Sequence, residues 1–166
     1  MQRIHLISTG GTIEKIYSET TGSVVNLETK IDRYLKQLRL PDADIHAISV
    51  MNIDSLEMTH ADREEVLEVV RQRLDAPIVI THGTDTMVET GLFLQQRLEK
   101  VPVPIIFTGA MTPLGFERSD GLQNLTESLL AARLLPPGIW LVMHNQVFPI
   151  DQVRKDRENS RFVSST

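Results

Sequence analysis

Cysteine is absent from the 166 residues. Disulfides, thiolate catalysis, iron–sulfur clusters and cysteine-ligated zinc are thereby excluded. No run approaches the ~18 apolar residues that a membrane-spanning helix needs. The richest stretch, from Leu129 to Met143, is broken by Arg133 and by Pro136-Pro137-Gly138. The apolar run after Met1-Gln2-Arg3 is too brief for a secretory leader. Basic charge is not in excess: 17 Lys and Arg face 22 Asp and Glu, a net charge of −5. That balance gives no footing for nonspecific contact with nucleic acid or an anionic membrane. The five histidines show no ligand spacing such as H-E-x-x-H, so no metal site is expected. No repeat, low-complexity tract or interdomain linker is visible. The expectation is one soluble, cytoplasmic domain over residues 1–166, without nucleic-acid or membrane partners.

What is present is a globular composition, 41% hydrophobic and 23% charged. Short apolar runs alternate with longer amphipathic segments, the pattern of β/α units around a parallel sheet. Residues 4–8, 45–51, 78–81, 103–108 and 139–143 are the predicted strands, most of them rich in Ile and Val as doubly covered strands are. Leu27, Ile31, Tyr34, Leu35 and Leu38 fall on one helical stripe. A second helix is predicted over about 62–74, capped by Thr59 with Asp62 in its first turn. A third spans about 87–98, with Thr86 and Glu89 at capping-box spacing. A fourth spans about 119–135 and stops at Pro136-Pro137. The fold class is therefore α/β, a three-layer, doubly wound, mostly parallel sheet of Rossmann-like or flavodoxin-like type. Residues 14–26 form a connection longer than the usual ~2–6 residues, which favours a functional loop or lid. The charged tail after Val147 is expected to be mobile in an isolated domain.

In open α/β sheets, ligands bind beyond the carboxyl ends of the strands. Those ends read Thr9-Gly10-Gly11-Thr12, Asn52-Ile53-Asp54-Ser55, His82-Gly83-Thr84-Asp85-Thr86, Thr108-Gly109-Ala110-Met111 and His144-Asn145. Glycines followed by hydroxyls let a small ligand approach backbone N–H groups and side-chain oxygens together. Taken singly, each signal has a plainer reading. Gly10-Gly11 suits a tight turn, Thr84 and Thr86 suit helix caps, Asp85 suits a helix dipole, and Lys155 suits a solvated tail. Thr-rich turns gathered on one sheet edge favour a site.

Thr9-Gly10-Gly11-Thr12-Ile13 and Ile80-Thr81-His82-Gly83-Thr84-Asp85-Thr86 resemble the two signature segments of bacterial-type L-asparaginases. Asp54-Ser55, Thr108-Gly109-Ala110-Met111, Asp120-Gly121 before Asn124-Leu125, and Asp151 to Lys155 match in order. The resemblance implies the asparaginase N-terminal fold and hydrolysis of L-asparagine to L-aspartate and ammonia, with glutamine a poor substrate and no cofactor. It implies Thr12 as the nucleophile that forms an acyl ester, and Thr84, Asp85 and Lys155 as a second triad. Ser55 and Asp85 would hold the substrate's α-carboxylate and α-amino group, with Gly11, Gly83 and Ala110 lining the pocket. Tyr17 is the tyrosine of the loop after Thr12 that would relay a proton.

Two departures stand out. Family members run to about twice this length, and a naturally short form is expected because the chain ends just beyond Lys155. Leu56 stands where many members carry a polar group on the substrate's ammonium, so Glu57 is the nearest replacement and weak substrate affinity is expected. A homodimer or homotetramer is expected from the family. Two other functions fit the same motifs. One is a partner-dependent glutaminase or amidase subunit of a tRNA-amidating complex, and the other is a non-enzymatic amino-acid-binding domain.

Overall fold

The computed structural model describes residues 1–165. Its elements, in chain order, begin with β1 (Gln2–Gly10), the hairpin strands β2 (Ile16–Ser18) and β3 (Ser23–Val25), α1 (Ile31–Leu35) and β4 (Ala43–Ile53). They continue with α2 (His60–Arg71), β5 (Ile78–Thr81), α3 (Met87–Arg97), β6 (Pro104–Thr108) and α4 (Gly121–Leu134). The chain closes with β7 (Gly138–Met143), β8 (Gln146–Pro149), β9 (Val153–Asp156) and β10 (Arg161–Ser164). Six strands form one sheet in the order β4-β1-β5-β6-β7-β8. All pairs are parallel except β7 with β8, which are joined by a tight turn in which His144 and Asn145 both have positive φ. All five predicted strands are found.

Side chains alternate across the sheet and divide the interior in two. Ile7, Ile78, Ile80, Ile105, Phe107, Leu141 and Met143 pack against α2 and α3 through Val66, Leu67, Val70, Met87 and Leu94. Leu6, Val79, Ile106 and Val142 face the other way, against Ile31 and Tyr34 of α1 and Leu125 and Leu129 of α4. Helices thus cover both faces, the three-layer doubly wound arrangement. β1 is the strand from which the chain first steps outward to β4 and then back across to β5. The topological switch point therefore lies between the carboxyl ends of β1 and β5, where their crossovers depart in opposite directions and open a crevice.

Local structure departs from expectation in three places. The first helix is a single short stretch, not residues 27–38. Leu27 is 65% exposed, and Asn26 and Lys30 are drawn into tertiary contacts that hold the segment before α1 out of helical geometry. The Thr86–Glu89 capping box does not form, because the Thr86 hydroxyl donates to the Ser55 carbonyl (2.9 Å) and Glu89 pairs with Arg63 (3.1 Å). The Thr59–Asp62 box does form. The tail after Val147 is ordered. Ile150, Val153 and Phe162 are buried in the same core as α3, and they fix the β9–β10 hairpin among its exposed charges. No helix among the described residues is long and apolar enough to cross a membrane.

Candidate active site

The turns after β1, β4 and β5 lie against one another with almost no side-chain padding. Gly11 has φ of 76°, and a methyl group there would collide with the Gly83 backbone. A methyl on Gly83 would in turn strike the Ser55 side chain, and one on Gly10 would strike the Ile53 backbone. The Gly11 amide donates to Ile53 O (2.8 Å), and the His82 amide donates to Thr108 O (2.9 Å). Glycine is needed here for close approach of backbones as much as for conformation. The result places Thr12 and Thr84 on adjoining turns of one rim, with buried Ser55 beneath them.

Thr84 is buried, and its hydroxyl accepts a hydrogen bond from Lys155 Nζ at 2.7 Å. The same ammonium donates to Asp85 Oδ1 at 2.9 Å. Arg157, in the turn after β9, pairs with that same oxygen. Burial alone would push the Asp85 carboxyl up. The hydrogen bond and charge of Lys155, joined by Arg157, outweigh it and hold Asp85 below the usual carboxylate range. The hairpin that places these cations is anchored by Phe162, paired with Lys155 across β9 and β10.

Thr12 begins a single 3₁₀ turn, and its half-buried hydroxyl makes no hydrogen bond. Glu14, in the same turn, is fully buried. Ser8 Oγ donates to it at 2.9 Å and the Lys30 amide at 2.6 Å. Burial pushes the Glu14 carboxyl up despite those donors. Lys15 reaches across to Asp54 at 2.6 Å, and its hydrogen bond, against the opposing effect of burial, holds Asp54 below its ordinary value. Tyr17 stands on the outer hairpin, 58% exposed, its hydroxyl without a hydrogen bond. Glu57 is exposed and lines a depression with Lys15, Asn26, Asn52 and Asp54.

The turn after β6 is held by Asp120, which accepts from the amides of Met111 (3.0 Å) and Thr112 (2.9 Å) and from His144 Nε2 (2.7 Å). Burial opposes ionisation of Asp120, yet these donors hold its carboxyl low. Asn124 Nδ2 donates to Gly109 O at 2.9 Å, and Ala110 is fully buried on this rim. Beneath Gly83, His82 is entirely buried. Its Nδ1 donates to the Gly83 carbonyl (2.9 Å), so Nε2 accepts from Thr90 Oγ1 (2.9 Å), which in turn accepts from Arg63 Nε (3.2 Å). Desolvation lowers the His82 pKa to about 4, so the ring is neutral at pH 7.

Of the residues singled out in the sequence, Gly11, Thr12, Ser55, Gly83, Thr84, Asp85 and Lys155 converge through these contacts. Tyr17 and Glu57 lie toward the outer hairpin and its depression. The Thr9 and Thr108 hydroxyls are engaged by carbonyls of Thr81 and Val142 at 2.9 and 2.8 Å. Arg157 and Lys15 carry no local signal of a site, whereas Asp54 enters through its match beside Ser55. Among the described residues no three His, Asp or Glu side chains gather closely enough to hold a metal ion.

A glycine-lined rim thus lies at the switch point of a doubly wound α/β domain and brings together two threonines and a lysine–carboxylate pair. The asparaginase N-terminal family model matches residues 3–163, and the chain belongs to that family. It is 31% identical to the L-asparaginase of Thermococcus kodakarensis over 156 residues, 92% of this chain and 47% of the relative. It is 32% identical to L-asparaginase 1 of Escherichia coli K12 over 153 residues, 87% of this chain and 45% of the relative. A glutamyl-tRNA(Gln) amidotransferase subunit of Methanococcus vannielii is 32% identical over 151 residues, 89% of this chain and 35% of the relative. The solved thermostable L-asparaginase of T. kodakarensis superposes with a TM-score of 0.88 at 30% identity, covering 98% of this chain and 51% of that one. The chain thus spans about half the length of the asparaginases it matches.

Proposed function

We propose that the domain hydrolyses the side-chain amide of L-asparagine, giving L-aspartate and ammonia. The observation that carries this reading is the Lys155–Thr84 hydrogen bond of 2.7 Å, with Asp85 on the same ammonium, on a turn packed against that of Thr12. An unassisted threonine hydroxyl is a poor nucleophile, and a fixed ammonium beside it stabilises the negative charge that develops as it or its bound water loses a proton. Thr12 Oγ attacks the amide carbonyl, its proton passing by way of the hairpin tyrosine, Tyr17, to the departing amide nitrogen. The tetrahedral intermediate expels ammonia as the C–N bond breaks, leaving an ester on Thr12. Water then adds to that ester and the C–O bond to Thr12 breaks, releasing L-aspartate and returning a proton to Thr12 Oγ, while Lys155 stabilises negative charge developing on Thr84 or on water bound to it. Free amides on the glycine turns receive the carbonyl oxygen's charge, a role that needs fixed dipoles. Ser55 holds the substrate's α-carboxylate.

Ammonia release from L-asparagine and L-glutamine by the purified chain tests the proposal. Turnover of asparagine, with glutamine slower by the ~1–3 kcal/mol that one methylene discriminates, is the expected result. Full ammonia release by Thr12→Val would reject Thr12 as nucleophile. The 32% identity with a tRNA amidotransferase component supports a second reading. In it the domain releases ammonia only within a tRNA-amidating complex, and the chain alone is then inactive.

A further inference from the structure

The side chain of Thr12 has no tether, so the backbone of its turn alone decides where the hydroxyl stands. That turn opens a long excursion. From Glu14 the chain runs through the β2–β3 hairpin and returns at Lys30, just before α1. The two ends are joined by a reciprocal pair. The Glu14 carboxyl accepts the backbone amide of Lys30 (2.6 Å), and the Lys30 ammonium donates to the backbone carbonyl of Lys15. The same ammonium donates to Leu114 O (2.6 Å), and the Leu114 amide donates to Ile13 O (3.3 Å). The base of the hairpin is thus fastened to the Thr12 turn, and both are fastened to the turn after β6.

Glu14 is fully buried, and an ionisable group in the interior costs stability that an apolar side chain would not. Both of its oxygens are used, one by Ser8 Oγ (2.9 Å) and one by Lys30. Of the charged groups near it, Lys30 favours the ionised form and Asp32 opposes it. An apolar residue could fill the same space, but it would leave the Lys30 amide without an acceptor. Beyond this base, Tyr17 and residues 19–24 are exposed. A fixed base under an exposed tip lets the tip move over a substrate while the nucleophile stays in place. We propose that Glu14 is a positioning residue for Thr12: with Lys30 it closes the base of the hairpin and fixes the turn that carries the threonine. This deepens the amide-hydrolase reading, and its kinetic arm rests on that reading. The carboxyl acts through its reach, as a buried acceptor, and takes no part in proton transfer.

Variants of the full chain separate reach from charge. Glu14→Gln loses the charge but keeps an acceptor for the Lys30 amide and can donate to Ser8. Glu14→Asp keeps the charge and is one methylene short. Ammonia release from L-asparagine and amide hydrogen exchange are measured on each, well below its unfolding temperature. Glu14→Asp is expected to lower kcat by about 10–100-fold, the cost of displacing a reacting group by about 1 Å, with KM within about twofold. Glu14→Gln should keep kcat within about threefold, with the wild-type pH profile of kcat/KM. Exchange in Glu14→Asp should quicken about tenfold in residues 15–30 and stay unchanged in β5 and β6. If Glu14→Asp does not fold, Lys30→Met, which removes the ties to Lys15 and Leu114, carries both readouts in the same direction. An unchanged kcat in Glu14→Asp, an equal loss in Glu14→Gln, or a loss carried by KM overturns the proposal. So does exchange that is unchanged or faster throughout the sheet. If the wild type cleaves no asparagine, the hydrolase reading fails by itself and exchange decides: quickening confined to residues 15–30 upholds the closed base, and any other pattern overturns it.

Discussion

Thr84 and Thr12 occupy adjoining turns, yet their hydroxyls are held very differently. Thr84 is buried and already receives a lysine ammonium at 2.7 Å. Thr12 is half-exposed, makes no side-chain hydrogen bond, and is followed by a hairpin whose tyrosine faces solvent. The half proposed to handle developing charge is thus assembled by folding, through an anchored hairpin and a carboxylate shared by two cations. The half proposed to make the covalent bond is left open. Electrostatic stabilisation is most effective when its dipoles are fixed beforehand, whereas a nucleophile has to admit and then cover its substrate.

The largest effects test whether both halves serve one reaction. Thr12→Val and Thr84→Val should each lower kcat by at least about 10³-fold. Thermal unfolding should separate them. Thr12→Val leaves Tm nearly unchanged, since its hydroxyl has no partner, while Thr84→Val lowers it by leaving Lys155 short of an acceptor. Equal kcat losses with equal Tm would erase the contrast.

Lys155→Met should lose about 10²–10³-fold in kcat, the size of one lost electrostatic stabiliser. A loss below about threefold would make the assembled half merely structural. Tyr17→Phe is expected to reduce kcat about tenfold without moving Tm, because the side chain is exposed. Full kcat would remove the tyrosine from the open half.

A last effect, on stability and not on turnover, concerns the support under Thr84. His82 titrates near 4 when folded against 6.5 when unfolded, so between those values the unfolded chain binds more protons. Its contribution to stability is complete above about pH 6.5 and is lost as pH falls through about 4, to a maximum of about 3 kcal/mol. Urea unfolding at pH 7 and pH 4.5 should show this acid loss reduced in His82→Gln. An identical pH dependence in the variant would assign the loss to other groups.

Much of this architecture was legible in the residue order. Runs such as Ile78-Val79-Ile80-Thr81 announce buried parallel strands because both faces are covered, and the glycines and threonines at their ends mark the rim. The β9–β10 hairpin was not legible. Ile150, Val153 and Phe162 are scattered among charges, and only their meeting with the α3 side of the core shows them to be anchors. The short α1 departs from its pattern for a related reason. The stripe from Leu27 to Leu38 has helical spacing, but Asn26 and Lys30 are held by Gly11, Glu14 and Leu114.

By itself, the sequence determined the alternation of strands and helices, the glycine-rich turns and the residue types at the rim. These follow from backbone periodicity and conformational freedom, which act over a few neighbouring residues. Tertiary structure alone decided that Lys155 meets Thr84, that Arg157 shares Asp85, and that Lys15 neutralises Asp54. Coulomb attraction and hydrogen bonding depend on separation in space, and only the packed sheet brings groups so distant along the chain to within 3 Å.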